Sequence, residues 1–268
     1  MALPNRPAAQ PAGFHDAEVQ RQFSLQAAHF GREGLTLSSA EYLGWVVGQI
    51  TVHPQDAVLD VAAGTGHLGR ALAARAARVV AVDLTWAMIT EGLREAARTG
   101  VRNLRYVQAR AERLPFGSGV FPLVVTRLSL HHFADPRPAV SEMARVCRPH
   151  GQVAIMDMVS PDDAGLAESY NRLERLRDPS HTTCLTLAGL RDVATAAGFT
   201  VAQVVSRDVV VKADAWMEMT ATPPHIREEI RAALMAEING GRATGMRPFV
   251  RDGMLMFTQT WATVVATR

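Results

Sequence analysis

From residue 57 onward the chain alternates between two hydrophobic patterns. Short, nearly all-apolar runs predict strands at 57–62 (AVLDVA), 78–84 (RVVAVDL), 104–110 (LRYVQAR), 120–128 (VFPLVVTRL) and 152–159 (QVAIMDMV). Between them, apolar residues every three or four positions predict helices over 67–77, 85–99 and 138–148, with Thr85 placed to cap the second. Strands apolar on both faces need helices on both sides, so this stretch reads as a parallel, doubly wound α/β sheet. A helix at 187–197 ending at Gly198, a strand at 199–212 and an alternating strand at 254–267 extend it. Helical patterns at 162–183 and 213–250 interrupt the series as cap insertions within a domain spanning 51–268. Upstream, Val19, Phe23, Ala27 and Phe30 share one helical face over 16–30, and Ser38 or Ser39 caps a second helix over 38–50. Together 16–50 form a candidate helical lid. Residues 1–15, with Pro4, Pro7 and Pro11, read as a disordered lead-in.

The first strand passes into its helix through VLDVAAGTGHLGRAL (58–72). Gly64, Gly66 and Gly69 satisfy G-x-G-x-x-G, and Asp83 follows about twenty residues on, as a dinucleotide fingerprint asks. The glycines let backbone approach a ligand, and the helix start offers free N–H groups. These features suit several adenosine-bearing ligands. Asp60, just upstream of the glycines, discriminates between them. A dinucleotide brings a pyrophosphate here, which a carboxylate repels by several kcal/mol at low effective dielectric, an order-of-magnitude figure of about that size. S-adenosylmethionine (SAM) brings an ammonium and a sulfonium instead, and the same carboxylate attracts them.

VLDVAAGTGHLGRALA resembles the first motif of the class I SAM-dependent methyltransferases, and VVAVDLTWAMI resembles their second. The stretch ARAERLPFGSGVFPLVVTRLSLHHFADPRPAVSEMARVCRPHGQVAIMD resembles their later motifs in order and spacing. The likeness is strong over 57–160 and is greatest to the small-molecule branch containing ubiquinone- and menaquinone-type C-methyltransferases. FSLQAAHF resembles the lid of that family more loosely. The resemblance implies a mostly parallel, seven-stranded Rossmann-like sheet whose last strand is antiparallel. It implies that Asp60 binds the methionyl amino group, and that backbone at Ala62, Gly64 and Gly66 lines the methionyl and ribose end. Asp83 takes the ribose hydroxyls and Leu84 packs on adenine, with Ala111 and Glu112 beside the adenine edge. Thr126 and Leu128 flank the methionine, and Phe23 and Phe30 close the lid. Plainer readings stand beside these: Asp83 as a helix N-terminal acid, Glu112 as a solvated loop acid, and Phe23 and Phe30 as core residues. Gly69 serves helix packing. Two positions depart from the family pattern. Ala62 replaces the usual first glycine. Arg110 stands where an aspartate often accepts from the adenine amino group, and arginine has no acceptor. Either a backbone carbonyl takes over, or Arg110 points outward.

Methyl transfer needs alignment of donor and acceptor and removal of a proton from a hydroxyl, amine or activated carbon. Histidine is the usual base near neutral pH. His131 and His132, just past the fourth strand, are the candidates, against a structural role at the strand end. Tyr170, Arg175 and His181 fall in a segment expected to overhang the acceptor. Trp216, Met217, Met219, Met246 and Phe249 suggest an apolar acceptor wall, or ordinary core. The acceptor is expected to be a small apolar or aromatic metabolite. A metal is not expected, because cation-dependent relatives place Asp where this chain has Thr126-Arg127. TPPH (222–225) reads as a Thr222 cap followed by proline, and not as a nucleic-acid methyltransferase motif. Other readings remain open. SAM-binding relatives catalyse cyclisation or pericyclic steps without methyl transfer. A nicotinamide-dependent oxidoreductase and a non-enzymatic binding protein complete the set.

Composition narrows the setting. The 268 residues are 48% hydrophobic and 20% charged, with a net charge of +2. The basic residues are scattered, so no nucleic-acid or membrane partner is expected. Cys147 and Cys184 have no metal-ligand spacing and read as reduced thiols, which fits a cytoplasmic protein.

Overall fold

The computed structural model describes residues 12–27 and 39–268. Phe30 and Ser38 lie outside the described residues. Five strands form the parallel part of the sheet: β1 (Ala57–Val61), β2 (Arg78–Asp83), β3 (Leu104–Gln108), β4 (Phe121–Arg127) and β5 (Cys147–Val159). Beyond them come β6 (Thr200–Lys212), the three-residue β7 (Phe249–Arg251) and β8 (Met254–Thr267). The order is β3-β2-β1-β4-β5-β8-β6, and β8 runs antiparallel to both its neighbours, as expected. The sheet has eight strands where the hydrophobic pattern shows seven. β7 pairs only with β8, across the turn at Asp252 and Gly253, and is too short to carry a pattern of its own.

The two-faced apolar runs are explained by two cores. Val58, Val79, Leu123, Val125, Ala154 and Met156 point to one face of the sheet. Leu59, Val61, Val82, Val124, Val153 and Ile155 point to the other. Strand period two assigns them. Asp60 falls on the Val58 face, where the pattern calls for an apolar residue.

Helices α3 (His67–Ala73), α4 (Trp86–Arg98), α5 (Arg137–Val146) and α7 (Leu187–Ala196) cover the sheet. The caps are α6 (Ala164–Arg177), α8 (Ala213–Met219) and α9 (Pro224–Ile238). Before the sheet stand α1 (Ala12–Gln26) and α2 (Ala40–Gly48); α1 begins inside the stretch expected to be a disordered lead-in. Capping differs from expectation. Thr85 and Ser39 hold the N-cap positions, but neither side chain bonds a helix N–H. Pro223, not Thr222, is the N-cap of α9, and the Thr222 hydroxyl donates to the Arg177 carbonyl instead (3.1 Å). Asp163 and Thr186 do cap α6 and α7 by accepting from Leu166 and Gly189 N–H.

Candidate active site

The strand order reverses between β1 and β4, and at such a point the strand ends open a crevice. A cavity of about 1030 Å³ lies there, bounded by the loops after β1, β2 and β4 and roofed by α1 and α8. Ligand cavities commonly measure about 300–1,000 Å³, so this one has room for two small molecules.

The loop after β1 is built for close approach. Ala62, Gly64 and Gly66 all have left-handed backbone, with φ of 52°, 56° and 77°. At Gly66 a side chain is excluded twice, because a Cβ would collide with the Tyr106 hydroxyl, which donates to the Thr65 carbonyl (3.0 Å). Gly66 therefore shapes the loop from behind, while Ala62, Ala63, Gly64 and Thr65 form the cavity wall. Ala62 is an L-residue in this region, a strain of roughly 1–2 kcal/mol. Leu128, at the end of β4 and also on the wall, is in the same state (φ 52°). Asp83 ties two loops together: its carboxylate accepts from Gly64 N–H (2.7 Å) and Thr85 N–H (2.8 Å). It therefore does hold the start of α4, yet it also lines the cavity with lone pairs to spare.

Asp60 is 1% exposed, lines the cavity, and has one oxygen, Oδ2, without a hydrogen-bond partner among the described residues. Burial pushes its carboxyl up to about 7, against the pull of the nearby Arg127 guanidinium and the Gly69 N–H. Gly69 itself packs tightly: a Cβ there would lie 3.1 Å from Asp60 Oδ2 and 3.3 Å from Leu104. An ammonium group brought beside this carboxyl would favour its ionised form. Asp83 is also raised by burial, with the Thr85, Gly64 and Leu84 N–H groups opposing.

At the opposite end, Leu84, Ala111 and Glu112 line the cavity. Arg110 also lines the cavity; its guanidinium forms an ion pair with Asp16 of α1 and reaches Glu112 at 3.5 Å. The departure at position 110 is thus an anchor for the lid. Gln20 adds a second anchor by donating to the Leu84 carbonyl (3.1 Å). A third is His15, whose Nε2 lies 2.6 Å from the His132 carbonyl. Phe23 lines the cavity with its ring edge-on to His132 at 4.8 Å.

His131 is buried on the wall, with Nδ1 2.6 Å from Asp157 Oδ1. Asp157 is fixed in turn by Leu130 N–H (2.7 Å) and Met158 N–H (2.8 Å). A ring that donates Nδ1–H to Asp157 keeps its lone pair on Nε2. Sequence reasoning did not single out Asp157, although it interrupts an apolar strand just as Asp60 does. His132 stacks on His131 at 4.2 Å and is held by the Ser180 carbonyl (3.2 Å) and hydroxyl (3.1 Å). Burial and the neighbouring His131 push His132 down to about 3, so it stays neutral. Thr126 does not reach the cavity wall; its hydroxyl donates to the Val61 carbonyl (2.7 Å) and meets Ser129, fastening β4 to β1.

Three of the four expected acceptor residues stand behind the wall or outside it. Tyr170 is core, its hydroxyl on the Met158 sulfur (3.5 Å). His181 is buried against Asn171 (2.9 Å). Arg175 faces outward to Glu168 (2.7 Å) and the Thr182 carbonyl (3.1 Å). Trp216 does line the cavity, with Met158, Val211, Met219, Met256 and Trp261. Met217 and Met246 belong to the core. The arginine of α6 that lines the cavity is Arg177, not Arg175; it follows Tyr170, Leu173 and Glu174 on the inward face of the helix.

Sequence and structure comparisons agree with this geometry. The family model for a methyltransferase domain matches residues 59–155. The uncharacterized methyltransferase YcgJ of Bacillus subtilis is 31% identical over 78% of this chain and 82% of its own length. Its crystal structure superposes with a TM-score of 0.79 at 28% identity, covering 86% of this chain and 99% of that one. A demethylmenaquinone methyltransferase of Clavibacter sepedonicus is 34% identical over 61% of this chain and 67% of its own length. The [4+2]-cyclase SpnF shares the fold at 17% identity, with a TM-score of 0.67 over 99% of this chain and 98% of that one. With glycine loop, acids and sheet order all in place, the chain belongs to the methyltransferase domain family.

Proposed function

We infer that the protein moves the methyl group of SAM to a small, largely apolar acceptor. The observation that carries this reading is Asp60: a buried cavity-wall carboxyl with one oxygen unpartnered among the described residues, beside the left-handed glycine loop and near Asp83. When bound, SAM supplies a methyl group on a sulfonium, which a nucleophile displaces in line. Asp60 takes the amino group, Asp83 the ribose hydroxyls, and Leu84, Ala111 and Glu112 the adenine. Gly64 and its neighbours bring backbone against the methionyl part. Alignment of this kind is worth up to about 7–11 kcal/mol. α1 covers the cavity and keeps water out. His131 receives the acceptor proton at Nε2, and Asp157 holds the ring and steadies the imidazolium that results. His132, held neutral, positions Phe23 and the neighbouring ring.

A hydroxyl, amine or activated carbon all suit this arrangement. The quinone-precursor relative makes electron-rich aromatic rings the first acceptors to test. Among the described residues no helix is long and apolar enough to cross a membrane, and a cytoplasmic setting is part of the proposal.

The test is a panel of aromatic acceptors with SAM, followed by chromatography. Wild type is expected to form S-adenosylhomocysteine (SAH) and methylated product in equal amounts. His131→Gln is expected to slow turnover about 10²–10⁴-fold while still binding SAH. Product without SAH release would favour cyclisation, and full activity in His131→Gln would remove the base from the mechanism.

A further inference from the structure

The cavity wall formed by α8 and β8 is largely apolar, but two residues lining it carry buried donors without acceptors. Arg177 is 4% exposed, and its Nε and Nη1 have no hydrogen-bond partner among the described residues. Only Nη2 is engaged, 3.3 Å from Glu174 and 3.8 Å from Asp178. The guanidinium lies over the Trp216 ring at 5.0 Å. Trp216 Nε1 is also buried and unpartnered. Both side chains line the cavity. Buried donors are normally satisfied, so donors left open on one wall mark the place of a missing acceptor atom.

The charges nearby give that atom its sign. Asp178 is the acid that lines the wall beside Arg177, and its oxygens already accept from Ser180 N–H (2.9 Å), the Ser180 hydroxyl (2.6 Å) and Gln26 (3.3 Å). It balances Arg177 but offers a ligand little. Glu174 is fully buried behind the wall, accepts from Gln259 (2.8 Å), and is raised toward neutrality by its burial. Lys212, exposed at the cavity rim, makes no ion pair among the described residues. Arg177 on the wall and Lys212 at the rim bring positive charge to a chamber otherwise lined by Met158, Val211, Trp216, Met219, Met256 and Trp261.

Building on the methyl-transfer reading, we propose that Arg177, with Trp216 Nε1, binds an anionic oxygen of the acceptor, with Lys212 adding attraction from the rim, so that the substrate is a planar carboxylate. The carboxylate anchors at Arg177 and the ring lies among Trp216, Met219, Met256 and Trp261. Guanidinium donors suit carboxylate oxygens, with which they form charge-assisted hydrogen bonds stronger than those to a neutral carbonyl.

The test uses calorimetry on the full chain, with and without saturating SAH, and a matched pair of probes: 2-naphthoate and 2-naphthamide. Wild type is expected to bind the carboxylate at least tenfold more tightly than the amide. Arg177→Gln should abolish that preference without loosening SAH, and Arg177→Lys should retain part of it. Lys212→Ala, at an exposed site that does not threaten folding, should weaken naphthoate a few-fold and leave naphthamide unchanged. Equal affinity for the two probes in wild type, binding of neither, or a preference that survives Arg177→Gln would overturn the proposal. SAH binding is read in a separate titration. Its failure would contradict the methyl-donor reading, and the probe preference measured without SAH would still decide the role of Arg177.

Discussion

On the proposed reading, a single acid, Asp60, governs how the donor half binds its ligand. Its folded pKa near 7 stands above the ordinary 3.8, so the empty site favours the neutral carboxyl. Ionising it becomes costly as pH rises from the unfolded value toward 7, and stability from this group falls over that window. An ammonium ligand reverses the preference and binds the ionised form. SAH affinity is therefore expected to rise with pH, by up to about tenfold per unit, and to level off above about 7. Asp60→Asn should lose this slope and bind SAH about 10–100-fold more weakly at neutral pH, which titrations across the range would measure. A slope that persists in the variant would assign it to another group. Asp60 was legible in the sequence because an acid inside a buried strand needs a reason. Asp157 sends the same signal from QVAIMDMV. What no residue list reveals is its partner, since the Asp157–His131 contact depends on how the 130–132 turn folds back onto β5.

At the scale of elements, α1 is the piece that closes the donor cavity, and Arg110 is its anchor. The Arg110–Asp16 pair is partly exposed, so it is worth about 0.2–1 kcal/mol. Arg110→Ala is expected to speed SAH dissociation about two- to fivefold in stopped-flow measurements. Exchanging the charges, Asp16→Arg with Arg110→Asp, should restore most of the wild-type rate. Unchanged dissociation in Arg110→Ala would mean that α1 is held by other contacts. The elements were readable because strand and helix periodicities are strong in this chain, and the boundaries shift by only a few residues. Errors arose where local chemistry has choices. Thr85 and Thr222 look like caps, but Asp83 and the Arg177 carbonyl give their surroundings other hydrogen bonds. On α6, Tyr170 and Leu173 already define the inward face, which continues to Arg177; Arg175, two residues earlier, lies nearly opposite.

Across the whole molecule, the cavity is supported by a histidine cluster in which burial holds His132 and His181 neutral. His132, His131 and His181 cluster with ring separations of 4.2 Å and 5.4 Å, and His181 is driven far below its ordinary value by burial and by its histidine and arginine neighbours. The unfolded chain takes up a proton at His181 below about pH 6.5 and the folded one does not, so stability from this group is lost as pH falls. His181→Gln is expected to gain up to about 1.4 kcal/mol relative to wild type for each pH unit of acidification below about 6, read from denaturant melts. A constant difference between the two proteins would contradict the buried neutral ring. The five parallel strands and the family were written in the chain between 57 and 160. The acceptor chamber was not, because α6, α8 and β8 converge on it from distant parts of the sequence. The central claim, that the Asp60–Asp83 site is a SAM site, is tested most directly by titrating wild type with SAH at about pH 7 in buffers of different ionisation enthalpy. Binding of one SAH with release of about half a proton is the expected result. No heat with either SAH or SAM at high protein concentration would contradict it.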